Sequence, residues 1–253
     1  MMENKRVISI TSAKGGVGKT IFAINLLGVY SYLKKKVLLI DMDLSCGGSS
    51  VLLNLDKAKT IYNLFDDILN NRFKDGDKYV YHYDEYVDII PSCKDPRQGN
   101  KIDSKVLEQI VTIYKNHYDV ILIDTTHVPI SSTLVTLDFA DLILFMVTDN
   151  LQDLKNSASM LKILKDNKKD VKVILNNAYR FEKSYFSKFD VKNILKHNID
   201  YQLPSSMYIN NINKYLMDGK IPVLNNKLSF NNEKDKNLLI KISESLIGED
   251  YEK

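Results

Sequence analysis

The sequence predicts an α/β fold: a doubly wound, mostly parallel sheet of about seven or eight strands with helices on both faces. Three observations carry that expectation. Apolar, β-rich runs alternate with helical patterns along most of the chain. Runs such as Val-Ile-Leu-Ile at 120–123 are continuously apolar, as strands buried on both faces of a parallel sheet are. Two of the runs end in acidic residues, at the strand ends where open α/β sheets form their crevice.

Taken in order, the first strand is expected at 6–11, followed by an amphipathic helix at 19–33. A strand at 36–41 and a helix at 61–70 come next. The segment 74–86 breaks the pattern, because Tyr79, Tyr81, Tyr83 and Tyr86 stand among charged residues. That alternation suits a half-exposed edge strand or hairpin, and a tyrosine-rich partner surface is the other reading. Strands at 87–90, 120–124, 142–147, 171–175 and 199–203 then alternate with helices at 105–117, 131–139, 151–166, 187–196 and 207–217. A polar, Asn-rich stretch at 225–236 precedes a last helix, whose Leu238, Leu239, Ile242 and Leu246 form an apolar stripe of the kind that docks on a core. The whole of 1–253 is expected to be one domain, with 226–253 forming its C-terminal loop and helix.

Composition bounds the function classes. The chain has 253 residues, 44% hydrophobic and 26% charged, ordinary for a globular protein with a full core. A net charge of +3 is small for that length and implies no broad nucleic-acid footprint. Cys46 and Cys93 are the two cysteines, too few for a disulfide framework or a metal cluster and suited to a reducing compartment. No apolar stretch approaches a membrane span, and the N-terminus runs straight into the first strand without room for a signal peptide. A soluble, cytoplasmic protein is expected.

The chemistry is concentrated at Lys14-Gly15-Gly16-Val17-Gly18-Lys19-Thr20, between the first strand and the first helix. Backbone N–H groups of Gly15 to Lys19 can wrap phosphates, and the helix N-terminus adds partial positive charge. Lys19 is placed to reach the β- and γ-phosphates and the Thr20 hydroxyl to ligate Mg²⁺; Ile21 completes the binding set. Lys14 is unusual, because a phosphate loop does not need a second lysine there. Asp41 and Asp43 end the second strand, and Asp124 ends the run Tyr118-Asp119-Val120-Ile121-Leu122-Ile123-Asp124. Asp43 is read as the residue that orients an attacking water and helps hold the metal, Asp41 as support for the Mg²⁺ shell, and Asp124 as the Walker B acid that holds Mg²⁺.

The compressed K-G-G-V-G-K-T spacing resembles the deviant Walker A loop of the MinD/ParA superfamily, and the resemblance extends over roughly residues 5–225. The segments between motifs are most similar to the CpaE/TadZ branch of tight-adherence pilus assembly. They are Asp43-Leu44-Ser45-Cys46-Gly47-Gly48, Leu52 to Leu55, Lys59-Thr60-Ile61, Pro91 to Pro96 and Asp149 to Asn156. The resemblance implies ATP and Mg²⁺ as cofactors, slow hydrolysis and an ATP-dependent homodimer, with Lys14 reaching the neighbouring subunit's nucleotide. It also implies that Asn176 contacts adenine and that Pro204 closes over the base. The first strand begins at Arg6, so the receiver-like N-terminal domain of many such proteins is expected to be missing.

The sequence departs from the superfamily after Asp124, where Thr125-Thr126-His127-Val128-Pro129 lacks the glycine of a Thr-Pro-Pro-Gly turn. His127 is read as a polar surface residue more readily than as a general base. The expected role is assembly or positioning of a pilus or secretion apparatus, with recruitment to the cell pole or inner membrane face through an unidentified protein partner. One alternative is a partitioning or division-site positioning ATPase of the ParA/MinD kind; another is a non-hydrolysing scaffold. DNA is the weaker partner, because Lys165, Lys168, Lys169 and Lys172 are interrupted by Asp166 and Asp170. Direct membrane contact is also weaker, because the last helix runs into an acidic tail, Gly248 to Glu252.

Overall fold

The computed structural model describes residues 5–44, 47–55, 58–178, 186–207, 218–224 and 233–248. Among them the strands are β1 (Arg6–Thr11), β2 (Val37–Met42), β3 (Tyr81–His82), β4 (Val87–Ile90), β5 (Val120–Thr125), β6 (Leu142–Val147), β7 (Val171–Asn176) and β8 (Tyr201–Leu203). The helices are α1 (Lys19–Tyr32), α2 (Gly48–Leu52), α3 (Ile61–Leu69), α4 (Pro96–Gly99), α5 (Ser104–Lys115), α6 (Ser131–Phe139), α7 (Leu151–Asp166), α8 (Lys188–Leu195) and α9 (Glu233–Leu246). One eight-stranded sheet runs β3-β4-β2-β5-β1-β6-β7-β8, and only the β3–β4 pairing is antiparallel.

Strand side chains alternate between two cores, as period two requires. Ile8 and Ile10 of β1, Leu39 of β2 and Leu122 of β5 face α1 and α9, where Leu26, Leu27, Leu239 and Ile242 are fully buried. The other face is covered by α3 and α5 over β2, β4 and β5, through Leu64, Phe65, Leu107 and Ile110. Along the same face α7 and α8 cover β6 and β7 through Leu154, Leu161, Val191 and Leu195. Because β1 lies between β5 and β6, the chain leaves it toward β2 on one side and enters β6 on the other. That reversal of winding opens a crevice at the C-terminal end of β1, where the phosphate loop sits.

Three local expectations change. Residues Asp77–Tyr79 form a 3-10 turn rather than part of a strand, so Tyr79 is buried and donates to Asp67 Oδ2 at 2.5 Å. Tyr83 accepts from Ile221 N at 3.1 Å, so the tyrosine-rich segment spends two of its rings on tying the fold together. The final helix begins at Glu233, inside the stretch expected to be loop. The expected helix at 207–217 lies, apart from Met207, outside the described residues, as does Cys46.

Candidate nucleotide site

Helix α1 begins without a side-chain cap, its N-cap being Gly18, and no acidic residue stands in its first turn. Its first N–H groups are therefore left for an external anion. Gly16 and Gly18 adopt φ of +75° and +94°, left-handed values that turn successive N–H groups toward one concavity. Val17 is buried beneath the loop, and its carbonyl accepts from Asn176 Nδ2 at 2.8 Å. A Cβ on Gly18 would lie 2.7 Å from that same nitrogen.

The side chains beneath the loop form a charged layer. Thr20 Oγ1 donates to Asp124 Oδ2 at 2.6 Å, whereas Asp124 Oδ1 is buried without a partner. Burial pushes the Asp124 carboxyl up to about 8, and the nearby Asp41 adds to the rise; Thr20 and Lys19 oppose it. Lys19 is buried as well, and desolvation lowers its pKa against the pull of Asp124, Asp43 and Asp153. Its ammonium donates to Ser12 Oγ at 2.9 Å, and Ser12 in turn donates to the carbonyl of Lys14 at 2.8 Å. A buried carboxylate oxygen with no donor, next to a threonine hydroxyl and a phosphate cradle, is the ligand chemistry that Mg²⁺ and a nucleotide phosphate require. The residues present fit both groups.

Asp41 is used differently from its expected place in the metal shell. It pairs in register with Asp124 across β2 and β5, yet Oδ1 accepts from Asp43 N at 3.0 Å and Oδ2 from Ser49 N at 3.0 Å and Ser49 Oγ at 2.5 Å. Fully buried, its carboxyl rises to about 6, chiefly by desolvation. It pins the turn from Asp43 to α2. Asp43 is half-buried at the end of β2, close enough for its charge to act on Lys19.

The remaining expected residues fall around the loop. Lys14 is half-buried, and Gly15 and Gly16 are exposed. Ile21, in the first turn of α1, accepts from Asn25 Nδ2 at 2.9 Å through its carbonyl. Asn176 ends β7, and its Oδ1 accepts from Ala178 N at 2.9 Å. Pro204 follows β8, whose Leu203 is in register with Asn176. Exposed His127 places its ring over the loop, 3.3 Å from where a Cβ of Gly15 would stand. Sequence reasoning missed Ser12, Ser49 and Asp153, whose carboxylate caps Thr148 N at 2.7 Å while contributing to the field at Lys19.

A family model described as an AAA domain matches residues 5–178, a span that contains the loop, Asp43, Asp124 and Asn176. The chain belongs to this family. A septum site-determining protein MinD from Synechocystis sp. is 30% identical over 119 residues, 47% of this chain and 44% of that protein. The chain spans about half the length of the curated relatives it matches. Among solved structures, a ParA family ATPase from Chlorobium tepidum superposes with a TM-score of 0.80 at 21% identity, covering 94% of this chain and 98% of that one. MinD from Pyrococcus horikoshii, complexed with Mg-ADP, gives 0.77 at 23% identity over 95% of each chain. These likenesses show the fold, which the chain shares with ParA and MinD proteins.

Proposed function

We propose that this chain is an ATP-binding, slowly hydrolysing dimerisation switch of the spatial-positioning kind. The observation that carries the reading is Asp124, buried with Oδ1 unpaired and Oδ2 on Thr20 beneath an uncapped α1. Mg²⁺ bound there would neutralise charge on the β- and γ-phosphates. Thr20 and Asp124 hold the metal, Lys19 leaves Ser12 to meet the phosphates, and Asp43 orients the attacking water at the crevice mouth. Asn176 and Pro204 border the base. The septum site-determining MinD relative and the fold shared with a ParA family ATPase support the broader role, partitioning or division-site positioning. The narrower pilus-assembly role rests on the CpaE/TadZ-like segments between 43 and 61, 91–96 and 149–156.

A second copy would cover the crevice. Val128, Ile130 and Leu134 after β5 and Leu151 after β6 are apolar yet 44–47% exposed, and they stand at the same sheet edge as the phosphate loop. Burying such a rim favours association, and half-buried Lys14 lies beside it, placed to act across the pair. Light scattering with Mg-ATP and then Mg-ADP tests this. A dimer in ATP alone, lost in Lys14→Ala, is the expected result. A mass indifferent to nucleotide would overturn the switch, and ATP-driven dimers without phosphate release would favour the non-hydrolysing scaffold.

A further inference from the structure

A large concavity lies away from the phosphate loop, at the opposite edge of the sheet. A cavity of about 670 Å³ opens between the C-terminal ends of α7 and α8, where β7 begins at Val171. A second of about 350 Å³ adjoins it along α7 and shares Leu161, Lys165, Lys196 and His197 with it. Together they form one trough with Leu161 in its wall. From Ala158 to the helix end at Asp166 it follows α7 for about 12 Å, and Lys168 carries it past that end.

Its lining is basic. Lys162, Lys165, Lys168, Lys192 and Lys196 border it from both helices, and none of the five has an ion pair among the described residues. The nearby lysines behave otherwise: Lys169 bonds Asp138, and Lys172 pairs with Asp200 at 3.4 Å. Asp170 is the one acidic side chain in the lining. Lysines near helix C-termini complement the macrodipole, which accounts for Lys165 and Lys196. It does not account for Lys162, which lies more than a turn earlier, or for the convergence of two helices' lysines on one hollow.

We propose that this trough is a docking site for an acidic, extended peptide segment of a protein partner. The geometry selects the occupant. Packed helix axes lie about 8–10 Å apart, so the trough admits a single extended chain of about five residues at 3.3 Å each and not a duplex. No Phe, Tyr or Trp lines it, and His197 is its single ring, so it lacks the row of stacking rings that holds successive bases of single-stranded nucleic acid. Carboxylates along such a chain meet ammonium groups on both walls, while its apolar atoms meet Leu161. This inference does not depend on the nucleotide reading.

Fluorescence anisotropy with a labelled Glu/Asp octapeptide tests it at physiological salt, with the Gln/Asn octapeptide and a 20-base-pair duplex as parallel probes. Saturable binding of the acidic peptide alone is expected. It should weaken at least tenfold in Lys165→Glu/Lys196→Glu and be unchanged in Lys105→Glu, a control at an exposed lysine of α5. Circular dichroism and the urea midpoint of the double variant report whether it is folded; if it is not, the milder Lys192→Gln/Lys196→Gln pair takes its place, with at least threefold weakening expected. Equal binding of the Gln/Asn peptide, tighter binding of the duplex, no acidic-peptide binding at all, or binding indifferent to the trough substitutions would each overturn the proposal.

Discussion

Asn176 donates its Nδ2 to the carbonyl of Val17 at 2.8 Å, so the end of β7 holds the phosphate loop from below. Its Oδ1 simultaneously receives Ala178 N, and the amide is fixed at both ends. Replacing Asn176 with alanine leaves a buried carbonyl and an amide unpaired, at a cost of about 1–3 kcal/mol. Urea denaturation should show that loss, and calorimetric ADP titration should show at least tenfold weaker binding. Gly18→Ala should be worse on both readouts, because it adds a left-handed non-glycine residue and a contact at 2.7 Å to Asn176.

Asp124→Asn should separate folding from metal binding. The folded carboxyl titrates near 8, far above its ordinary value near 4, so the folded chain holds a proton that the unfolded chain has released. Without Mg²⁺ and nucleotide, this group's contribution to stability therefore falls as pH rises from about 4 to about 8. The amide variant should flatten that slope and match or exceed wild type at pH 8 in urea melts. It should also lose the rise in melting temperature that wild type gains from Mg-ADP. An unchanged slope would mean that Asp124 does not carry the proton.

Ser49→Ala removes one of the two donors that Ser49 directs at Asp41 Oδ2. A buried carboxylate that loses a hydrogen-bond donor costs about 1–3 kcal/mol. The loss should appear in denaturant midpoints, with Mg-ADP affinity changing less than in Asp124→Asn. Comparable losses of affinity would return Asp41 to the metal shell.

At the far edge of the sheet, His82 lies between Asp88, 2.7 Å from Nδ1, and Asp77, 3.2 Å from Nε2. The hydrogen bond to Asp88 raises its pKa first, with the charges of Asp88 and Asp77 adding to it. The stabilisation is fully present below the ordinary value of about 6.5 and disappears as pH rises through the raised one. Hydrogen exchange at Tyr81 and His82 should thus be better protected at pH 6 than at pH 8, after correction for intrinsic rates. His82→Gln should erase that difference. Its size will be small, because the imidazole is 55% exposed.

The strand–helix alternation and the loop 14–20 were legible because each depends on a local pattern: continuous apolar runs, closely spaced glycines and an acid after a buried strand. What was not legible depends on chain reversals. Asp41 was read into the Mg²⁺ shell because both acids end one strand, and only the return of the chain at Gly47 brings Ser49 onto Asp41. Asn176 was readable as the end of a strand, but its bond to Val17 spans 159 residues of sequence. Helices α2 and α4 have five and four residues, too short for a helical period to register. Tyr79 was misjudged because alternation between tyrosines and charges fits a strand as well as the tight turn at 77–79, whereas Tyr81 and His82 do form the expected edge strand against β4.

Helix α1 also carries a notch. A Cβ on Gly28 would stand 2.2 Å from Val223 Cγ1 and 2.6 Å from Ile221 Cγ2, so the turn Pro222–Leu224 is seated in the helix as a key in a slot. The phosphate loop is the direct N-terminal extension of that helix. Any sliding or rolling of α1 that accompanied a change of nucleotide would have to unseat the key some three turns away. The turn at 221–224 therefore serves as a detent on the machinery near the chain's start.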